Sequence, residues 1–406
     1  MISISVLASV ALLGGQPTLG PMIVGEDVSY SVESNHPYGL VHSVSKEPQL
    51  VDTKEIYLPE ATYVAPYFSR LELAPGDYLI LRSPDNSRSW RYEGYGKGTM
   101  GRDGGFWGIH ISGERAVIEL YSTGQELAWG YEIDTVARGF RDLDTEAICG
   151  TDDKLNASCY APTDPAIYNQ GRAVARLLIN GSGLCTGWLV GSEGHLMTNN
   201  HCISTPTAAM NTNYEFGAEG TCPENCGQLQ CDGEIVTTTA TLVKTSSLLD
   251  YTLVQLSVNP TAEWGYFQLR NAGPSIGERI YIPQHPGGRG KELAVVSTDA
   301  MDPTGFPEVA NIFNSGGRIL ATYFADTEGG SSGSPVVGHA DNCAIVVHSG
   351  TFGCPGTGNT GTVSDQVVAD LGMDAPLDSV VVAGQCTGAV SNDFMFGDSF
   401  GDTVLQ

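Results

Sequence analysis

The sequence predicts an all-β fold with two β-rich units in one chain. Many short apolar and β-branched runs alternate with Gly, Pro, Asn and Asp, and little of the chain shows helical periodicity. A length of 406 residues is sufficient for two domains that each bury a core. All ten cysteines lie at or after Cys149, so the chain before that point differs in kind from the chain after it.

Residues 1–20 have the features of a signal peptide. They contain an apolar run followed by small and polar residues, although the basic start typical of such peptides is missing. The run is short for a bilayer span, and no later stretch reaches that length. We therefore expect an exported protein with no membrane partner.

Residues 25–133 predict a small β-sandwich without a catalytic constellation. Its aromatic residues are more typical of a core than of a sugar-binding face, which is the alternative. The expected strands lie at 68–73, 78–82, 106–111 and 116–121, and the aromatic residues are Trp90, Tyr92, Tyr95 and Trp107.

Residues 134–147 are charged and weakly patterned, which is typical of a linker. Arg138 and Arg141 in this segment are candidate processing sites. The front domain is therefore either a propeptide that is removed or an accessory domain that stays attached.

Residues 148–386 predict a second all-β unit, either a barrel or a sandwich. The tail at 387–406 has no predicted function. The expected strands of the second unit are 173–179, 183–190, 235–243, 251–258, 279–283, 293–296, 319–324 and 344–348.

Composition restricts the partners and the compartment. The net charge of −26 removes the basic surface expected for a protein that binds nucleic acid or an anionic membrane. Ten cysteines in an acidic, glycine-rich chain favour an oxidising compartment, so we expect a secreted protein. We expect it to be a monomer.

A serine in a glycine-rich turn is the first candidate for catalysis. In the run Glu-Gly-Gly-Ser-Ser-Gly-Ser-Pro at 328–335, Gly330 and Gly333 flank Ser332. Without a Cβ at these glycines, the chain can bend sharply and turn the N–H groups of Gly330 and Ser332 toward one point. A serine hydroxyl is a poor nucleophile until a base accepts its proton, so the hypothesis needs a base and an orienting acid elsewhere in the chain.

Two further segments supply these groups. A Gly-Leu-Cys-Thr-Gly-Trp-Leu-Val run at 183–190 is followed by Thr-Asn-Asn-His-Cys at 198–202, and Leu-Leu-Asp-Tyr-Thr-Leu-Val-Gln-Leu lies at 248–256. With the serine turn, these segments resemble the chymotrypsin-like serine peptidases in motif and in the order His, Asp, Ser. The resemblance implies that His201 is the general base, that Asp250 orients it, and that Cys185 pairs with Cys202.

The same resemblance implies a fold and a chemistry. The fold would be two packed six-stranded β-barrels with the site in the cleft between them. Ser332 would attack the carbonyl of a protein or peptide substrate, and the N–H groups of Gly330 and Ser332 would form the oxyanion hole. This chemistry needs no metal and no organic cofactor.

The residue before the nucleophile separates branches of this family. Trypsin-type zymogens carry an aspartate there, whereas this chain has Ser331. The turn is more similar to those of the bacterial-type lysyl and glutamyl endopeptidases, and the lysyl branch is favoured. That branch implies a disulfide between Cys149 and Cys354.

The other cysteines leave alternatives open. Cys159 is expected to pair with one of Cys222, Cys226 and Cys231, and the remaining four cysteines allow three connectivities. A zinc site at the cluster of three is the weaker alternative, because an exported chain favours disulfides.

Three residues compete for the floor of the specificity pocket. Asp365 resembles the specificity aspartate of lysyl endopeptidases, and Asp326 has the spacing of the trypsin aspartate, although it is also typical of a turn acid. His348 resembles a histidine that faces the acidic substrate side chain in glutamyl endopeptidases and packs near the catalytic histidine in lysyl endopeptidases. Because a buried charge selects its opposite, two carboxylates favour Lys or Arg before the scissile bond, with Glu as the alternative.

The sequence therefore predicts a secreted serine endopeptidase. The alternative from another class is a secreted binding protein, either an adhesin on a peptidase fold or a lectin-like protein whose catalytic half is secondary. Taken singly, His201 also fits a core histidine and Asp250 a turn acid. The catalytic hypothesis depends on the three segments together.

Overall fold

The structure is a computed structural model that describes residues 20–39, 45, 47–140, 146–353, 356–372, 380–382 and 386. Strands predominate and the helices are short, which confirms the prediction of a β-rich chain. The predicted signal peptide lies outside the described residues except for Gly20, and the tail at 387–406 lies wholly outside them. In the described part of the chain, no helix is long and apolar enough to cross a membrane.

The elements are numbered in chain order. The first ten strands are β1 (Met22–Ile23), β2 (Gly25–Glu33), β3 (Gln49–Tyr57), β4 (Tyr63–Glu72), β5 (Tyr78–Arg82), β6 (Ser89–Glu93), β7 (Phe106–Trp107), β8 (Ile111–Ser112), β9 (Arg115–Ser122) and β10 (Gly130–Gly139). The next ten are β11 (Glu146–Ala147), β12 (Leu155–Asn156), β13 (Val174–Ile179), β14 (Gly183–Val190), β15 (His195–Thr198), β16 (Thr212–Phe216), β17 (Glu234–Thr237), β18 (Ala240–Ser246), β19 (Tyr251–Leu256) and β20 (Leu269–Arg270). The last nine are β21 (Ile280–Gln284), β22 (Glu292–Ala294), β23 (Val309–Ser315), β24 (Arg318–Tyr323), β25 (Thr327–Glu328), β26 (Pro335–Gly338), β27 (Ala344–Thr351), β28 (Asn359–Val363) and β29 (Val381–Val382). The helices are α1 (Met100–Asp103), α2 (Pro165–Gly171), α3 (Pro206–Met210), α4 (Thr261–Trp264) and α5 (Ser364–Leu371), with single 3₁₀ turns at Ala157–Cys159 and Pro286–Gly288.

The front strands form two sheets that share one core. One sheet has the order β2-β10-β4-β7, with β8 also on β4, and the other has the order β3-β9-β5-β6. Strand β9 shows the alternation that directs one face inward, because Ala116, Ile118 and Leu120 are buried at every second position. These side chains join Phe68 of β4 and Tyr92 of β6 in one hydrophobic cluster. Tyr92 therefore has the core role that we expected for the aromatic residues.

The segment predicted as a linker begins inside a strand. β10 continues to Gly139 and is paired on both edges, with β2 and with β4. Val136 is fully buried, and Arg138 contacts Glu26 across the strands. The boundary predicted at 133 is therefore too early, because strand pairing outweighs the charged composition of this segment. Arg138 lies within a paired strand, and Arg141 lies outside the described residues.

Two larger sheets follow the front strands. The first has the order β17-β16-β13-β14-β15-β19-β18, with β1 on β14. The second has the order β12-β22-β21-β26-β27-β28-β24-β23, with β20 on β27 and β29 on β20. A hydrophobic cluster contains side chains of both sheets, including Trp188 of β14 and Tyr281 of β21. The two sheets are therefore packed against each other.

A buried group of charges connects the front sheets to the first of these larger sheets. Glu215 of β16 accepts bonds from Arg176 at 2.8 and 2.9 Å and also contacts Arg88 from the front strands. Arg88 lies 3.0 Å from a carboxylate oxygen of Asp232 and 2.8 Å from Nε2 of His110. Burial holds the pKa of His110 well below its usual value. The charges compensate one another, which is the condition for burying them at all.

Four disulfides are described: Cys159–Cys222, Cys185–Cys202, Cys226–Cys231 and Cys343–Cys386. The structure thus contains the predicted Cys185–Cys202 bridge, and Cys159 pairs within the predicted group of three. The zinc alternative for that group is wrong, because all three sulfurs are in disulfides. The expected pair of Cys149 with Cys354 cannot be described, since Cys354 lies outside the described residues.

Candidate active site

His201 and Asp250 meet at the ends of two neighbouring antiparallel strands. β15 ends shortly before His201, and β19 begins directly after Asp250. Nδ1 of His201 lies 2.9 and 3.0 Å from the two carboxylate oxygens, and the His201 backbone N–H donates to the same carboxylate at 3.0 Å. The two side chains are only 6% and 8% exposed. A carboxylate in this position fixes the orientation of the imidazole and keeps its proton on Nδ1.

The backbone holds this pair in place. Asp250 has a φ of +51°, a left-handed conformation that aspartate tolerates better than most residues. The side chain of Asn199 donates to the Asp250 carbonyl oxygen at 2.7 Å. The Cys185–Cys202 disulfide ties the residue after His201 to β14. The relative position of base and acid is therefore set by three separate constraints.

Arg318 is a third charged group at the pair, and the sequence analysis did not identify it. Its guanidinium lies 3.7 Å from Oδ2 of Asp250. It also donates to Oγ1 of Thr362 at 2.6 Å and to Oγ of Ser349 at 2.8 Å. Burial lowers the pKa of Arg318, and Asp250 opposes that shift. Arg318 follows two glycines in a hairpin turn and belongs to no motif, so the sequence carries no signal for this contact.

Ser332 lies in a tight turn just before β26 of the second sheet. Gly330 and Gly333 have φ values of +90° and +91°, which favour glycine. A Cβ on Gly333 would lie 2.2 Å from the Thr186 carbonyl oxygen and 2.4 Å from Oγ1 of Thr198. Position 333 therefore requires glycine for two reasons: the backbone is in a left-handed conformation, and β14 and β15 leave no space for a Cβ.

The turn leaves two N–H groups unused. In the part of the chain that the structure describes, the backbone N–H groups of Gly330 and Ser332 donate no hydrogen bond. Their carbonyl oxygens are occupied by Thr186, which donates from Oγ1 to Gly330 at 2.8 Å and from its N–H to Ser332 at 2.9 Å. Unpaired N–H groups on the nucleophile turn can stabilise an oxyanion.

The segments that contain His201 and Ser332, the candidate base and nucleophile, lie next to each other. Sγ of Cys202, the residue after His201, is 3.9 Å from the Ser332 carbonyl oxygen. Nε2 of His201 is buried and has no hydrogen-bond partner among the described residues. That nitrogen is the one that must accept a proton from a serine hydroxyl, and in unliganded enzymes this bond often forms only once substrate binds.

Asp326 has both carboxylate oxygens engaged inside the protein. Oδ1 accepts the Cys149 N–H at 2.7 Å and Oδ2 accepts the Asp153 N–H at 2.8 Å. The residue is 3% exposed, and burial raises its pKa to about 6. Asp326 therefore holds the chain near 149–153, and the turn-acid alternative describes it better than the pocket floor does.

The other two pocket candidates lie at different depths. Asp365 is in the first turn of α5, beyond the end of β28, and packs on Gly273. His348 is 2% exposed, contacts the serine turn through its backbone, and has Nδ1 2.7 Å from the Tyr323 hydroxyl oxygen. Burial and the nearby His201 lower the pKa of His348 to about 3, so this ring stays neutral. His348 therefore lies close to the candidate site.

One group of potential metal ligands occurs among the described residues, and it belongs to this site. It consists of Cys185, His201 and Cys202. Both sulfurs are in a disulfide and are not thiolates, which are the form that binds metal. The group therefore does not fit a metal ion.

Comparison with known proteins identifies the class of this domain. Residues 185–345 match the family model described as a trypsin-like peptidase domain, and this range contains His201, Asp250 and Ser332. The chain therefore contains a trypsin-like peptidase domain. Over 400 residues it is 35% identical to "Secreted RxLR effector protein 73" of Plasmopara viticola, with 90% of this chain and 96% of that protein aligned. The chain belongs to the family of this Plasmopara protein.

Solved peptidase structures are similar at a lower level. A Glu endopeptidase in complex with MPD is 17% identical, with 55% of this chain and 96% of that chain aligned at a TM-score of 0.38. The HtrA-type protease AlgW with a tripeptide is 18% identical, with 51% of this chain and 62% of that chain aligned at a TM-score of 0.36. Similarity at these scores carries no argument about activity.

Proposed function

We propose that this protein is a serine endopeptidase that acts as a monomer on protein or peptide substrates. One observation carries the proposal: the His201–Asp250 pair leaves a buried, unpartnered Nε2 beside the turn that contains Ser332. The match of residues 185–345 to the trypsin-like peptidase family supports the same chemistry.

The mechanism follows from these positions. Nε2 of His201 takes the proton of the Ser332 hydroxyl while Oγ attacks the carbonyl carbon of the peptide bond, and Asp250 stabilises the resulting imidazolium. The oxyanion receives hydrogen bonds from the N–H groups of Gly330 and Ser332. The imidazolium then protonates the leaving amine as the C–N bond breaks. Water hydrolyses the acyl-enzyme by the same proton transfers in reverse order.

A two-barrel architecture is part of the proposal. His201 and Asp250 come from loops of the first large sheet, and Ser332 comes from the second. We assign the two sheets to the two barrels of a chymotrypsin-like domain over residues 148–386, with the site between them. The front strands form a separate β-rich domain that starts at 25 and, because of β10, ends at Gly139 instead of 133.

The proposal includes a preference for Lys or Arg before the scissile bond, with Glu as the alternative. A basic preference needs a free carboxylate in the cleft, whereas Asp326 is saturated by backbone N–H groups and Asp365 lies at α5. A glutamyl preference needs His348 to face the substrate, whereas it is buried against Tyr323. The arrangement of His348 is the one expected for the lysyl branch, so we retain cleavage after Lys or Arg.

Secretion is proposed from two observations. Four described disulfides favour an oxidising compartment. The similar Plasmopara protein is named as secreted, and the predicted signal peptide at 1–20 has the corresponding role here.

Mapping of cleavage sites in a diverse peptide library by mass spectrometry tests the proposal. The purified full chain is compared with Ser332→Ala. We expect cleavage by the full chain, mainly after Lys or Arg, and none by the variant. Cleavage after Glu would replace the proposed specificity. The absence of cleavage by the full chain would favour the alternative, a binding protein on a peptidase fold.

A further inference from the structure

The short strand β1 pairs with β14 of the first large sheet and not with the front sheets that follow it in sequence. Met22 is opposite Leu184 and Ile23 is opposite Gly183 in an antiparallel ladder. The ladder extends to Val24, whose N–H donates to the Ser182 carbonyl oxygen at 2.9 Å. The chain thus contributes its own extended segment to the edge of β14.

The same edge of β14 continues to the turn that contains Ser332. In an antiparallel ladder, every second residue turns its N–H and C=O toward the same neighbour. On this edge of β14, Ser182 is paired with Val24 and Leu184 is paired with Met22. The next position, Thr186, donates its N–H to the Ser332 carbonyl oxygen at an N···O distance of 2.9 Å. The place that β1 would occupy if the ladder continued toward Gly20 is therefore taken by the serine turn.

Side-chain packing shows how close β1 is to the reacting groups. A Cβ on Gly183 would lie 2.8 Å from Pro21, so the residue before β1 covers this glycine. A Cβ on Gly330 would lie 3.0 Å from the side chain of Leu184. The residue that pairs with Met22 therefore also packs against the residue that supplies an oxyanion N–H group.

The direction of β1 indicates which part of a substrate it would compete with. β1 runs away from Ser332 as the chain goes from Met22 to Val24. A substrate peptide in the same place would have its N-terminal end at the nucleophile. The part that lies along β14 would thus be the part that follows the scissile bond and leaves as the amine.

β1 is also anchored firmly at its far end. Val24 is fully buried in a cluster with Tyr63 and Leu178, and its carbonyl oxygen accepts the Phe140 N–H at 3.2 Å. A segment tethered in this way competes at a high effective concentration, in the millimolar range for short tethers.

We infer that β1 occupies, in cis, the binding edge for the leaving-side residues of the substrate, so that long peptides must displace it before cleavage. The inference rests on the proposed peptidase function. The ligand class of this edge is an extended peptide, bound mainly through its backbone. Substrates without residues after the scissile bond do not need the edge and are not affected by β1.

The test compares two proline variants of the full chain. Met22→Pro removes the N–H group that faces Leu184. Ile23→Pro is the matched control, because residue 23 alternates away from β14 and its side chain is 56% exposed. Two substrates are used for each protein: an internally quenched peptide with residues on both sides of the bond, and the same acyl part with a 7-amino-4-methylcoumarin leaving group.

We expect Met22→Pro to raise kcat/KM for the long peptide about tenfold, as the loss of one or two backbone hydrogen bonds implies. The coumarin substrate should be cleaved equally by all three proteins, and Ile23→Pro should match the wild type on both. An unchanged ratio of the two activities in Met22→Pro would overturn the inference. If Met22→Pro does not fold, Met22→Gly weakens the same strand and replaces it.

A second measurement separates this inference from the proposed function. Hydrogen exchange of the segment 20–24 is followed in Ser332→Ala as the long peptide is added. Faster exchange shows displacement of β1, even for a protein that cleaves nothing, whereas unchanged exchange at saturating peptide contradicts it. Failure of the wild type to cleave either substrate would instead contradict the peptidase function.

Discussion

At the scale of single residues, Arg318 makes the acid of the candidate triad unusual. A carboxylate that orients a catalytic imidazole also stabilises the imidazolium through its negative charge. Arg318 lies 3.7 Å from Asp250, so part of that charge is compensated. His348 and Tyr323, which also lie near the candidate site, are both neutral. Burial lowers the pKa of His348 to about 3, and burial raises the pKa of Tyr323 well above its usual value. Arg318 is therefore a charged group that partly compensates the charge of Asp250.

Replacement of Arg318 tests this role through the pH dependence of activity. In Arg318→Met, the uncompensated Asp250 should favour the protonated form of His201. The acid limb of the kcat/KM profile should then move to higher pH. Arg318→Lys keeps the charge and should keep the wild-type profile. A uniform loss of rate in both variants, without a shift, would show that Arg318 has only a structural role.

At the scale of elements, the carboxylate of Asp326 helps to hold the segment at 149–153 in place. Asp326 accepts two backbone N–H groups of this segment, although burial raises its pKa to about 6. In the unfolded chain the same group titrates near 3.8. Because the folded state then binds the proton more tightly, the contribution of Asp326 to stability is greatest below pH 3.8 and is lost as the pH rises through about 6.

Asp326→Asn should remove this pH dependence. The wild type should be favoured over the variant at pH 4, and its advantage should be smaller at pH 7 by about 2 kcal/mol, because most of the linkage energy of the pKa shift lies between these two pH values. The free energy of unfolding in urea, measured for both proteins at both pH values, gives the comparison. An advantage of equal size at pH 4 and pH 7 would contradict the raised pKa.

The elements also show what could be predicted from the sequence. The strands that carry the candidate site were predictable, because His201 and Ser332 lie in local motifs with cysteine or glycine neighbours and Asp250 directly precedes an apolar run. The continuation of β10 to Gly139 could not be predicted, because it depends on pairing with β2 and β4, which are distant in sequence. The engagement of Asp326 was not predictable for the same reason, since its partners precede it by 173 and 177 residues.

At the scale of the whole molecule, the buried charges around Glu215 decide whether the front domain is removable. Burial would raise the pKa of Glu215, but Arg176 and Arg88 hold it well below its usual value. Arg88 directly precedes β6 of the front domain, and the other two residues come from β13 and β16 of the first large sheet. Removal of the front domain would leave Glu215 with one of its two guanidinium partners. These contacts favour a front domain that stays attached over a propeptide that is discarded.

Arg88→Ala should therefore destabilise the whole chain. Removal of one partner from a buried charged group costs about 3 kcal/mol in the free energy of unfolding. Arg91→Ala is the matched control, because Arg91 is 51% exposed and pairs with an exposed Glu93. Its cost should be about 0.5 kcal/mol or less. Equal stability of the two variants would show that the junction contributes little to holding the domains together.

The central claim is that Ser332 is a nucleophile activated by His201, and covalent labelling tests it most directly. The full chain, Ser332→Ala and His201→Ala are each treated with diisopropyl fluorophosphate, and the adducts are located by peptide mass spectrometry. We predict one adduct on Ser332 in the wild type, none in Ser332→Ala, and labelling slowed by at least about a hundredfold in His201→Ala. Equal labelling of Ser332 with and without His201, or no labelling of the wild type, would show that His201 does not activate Ser332 as a nucleophile.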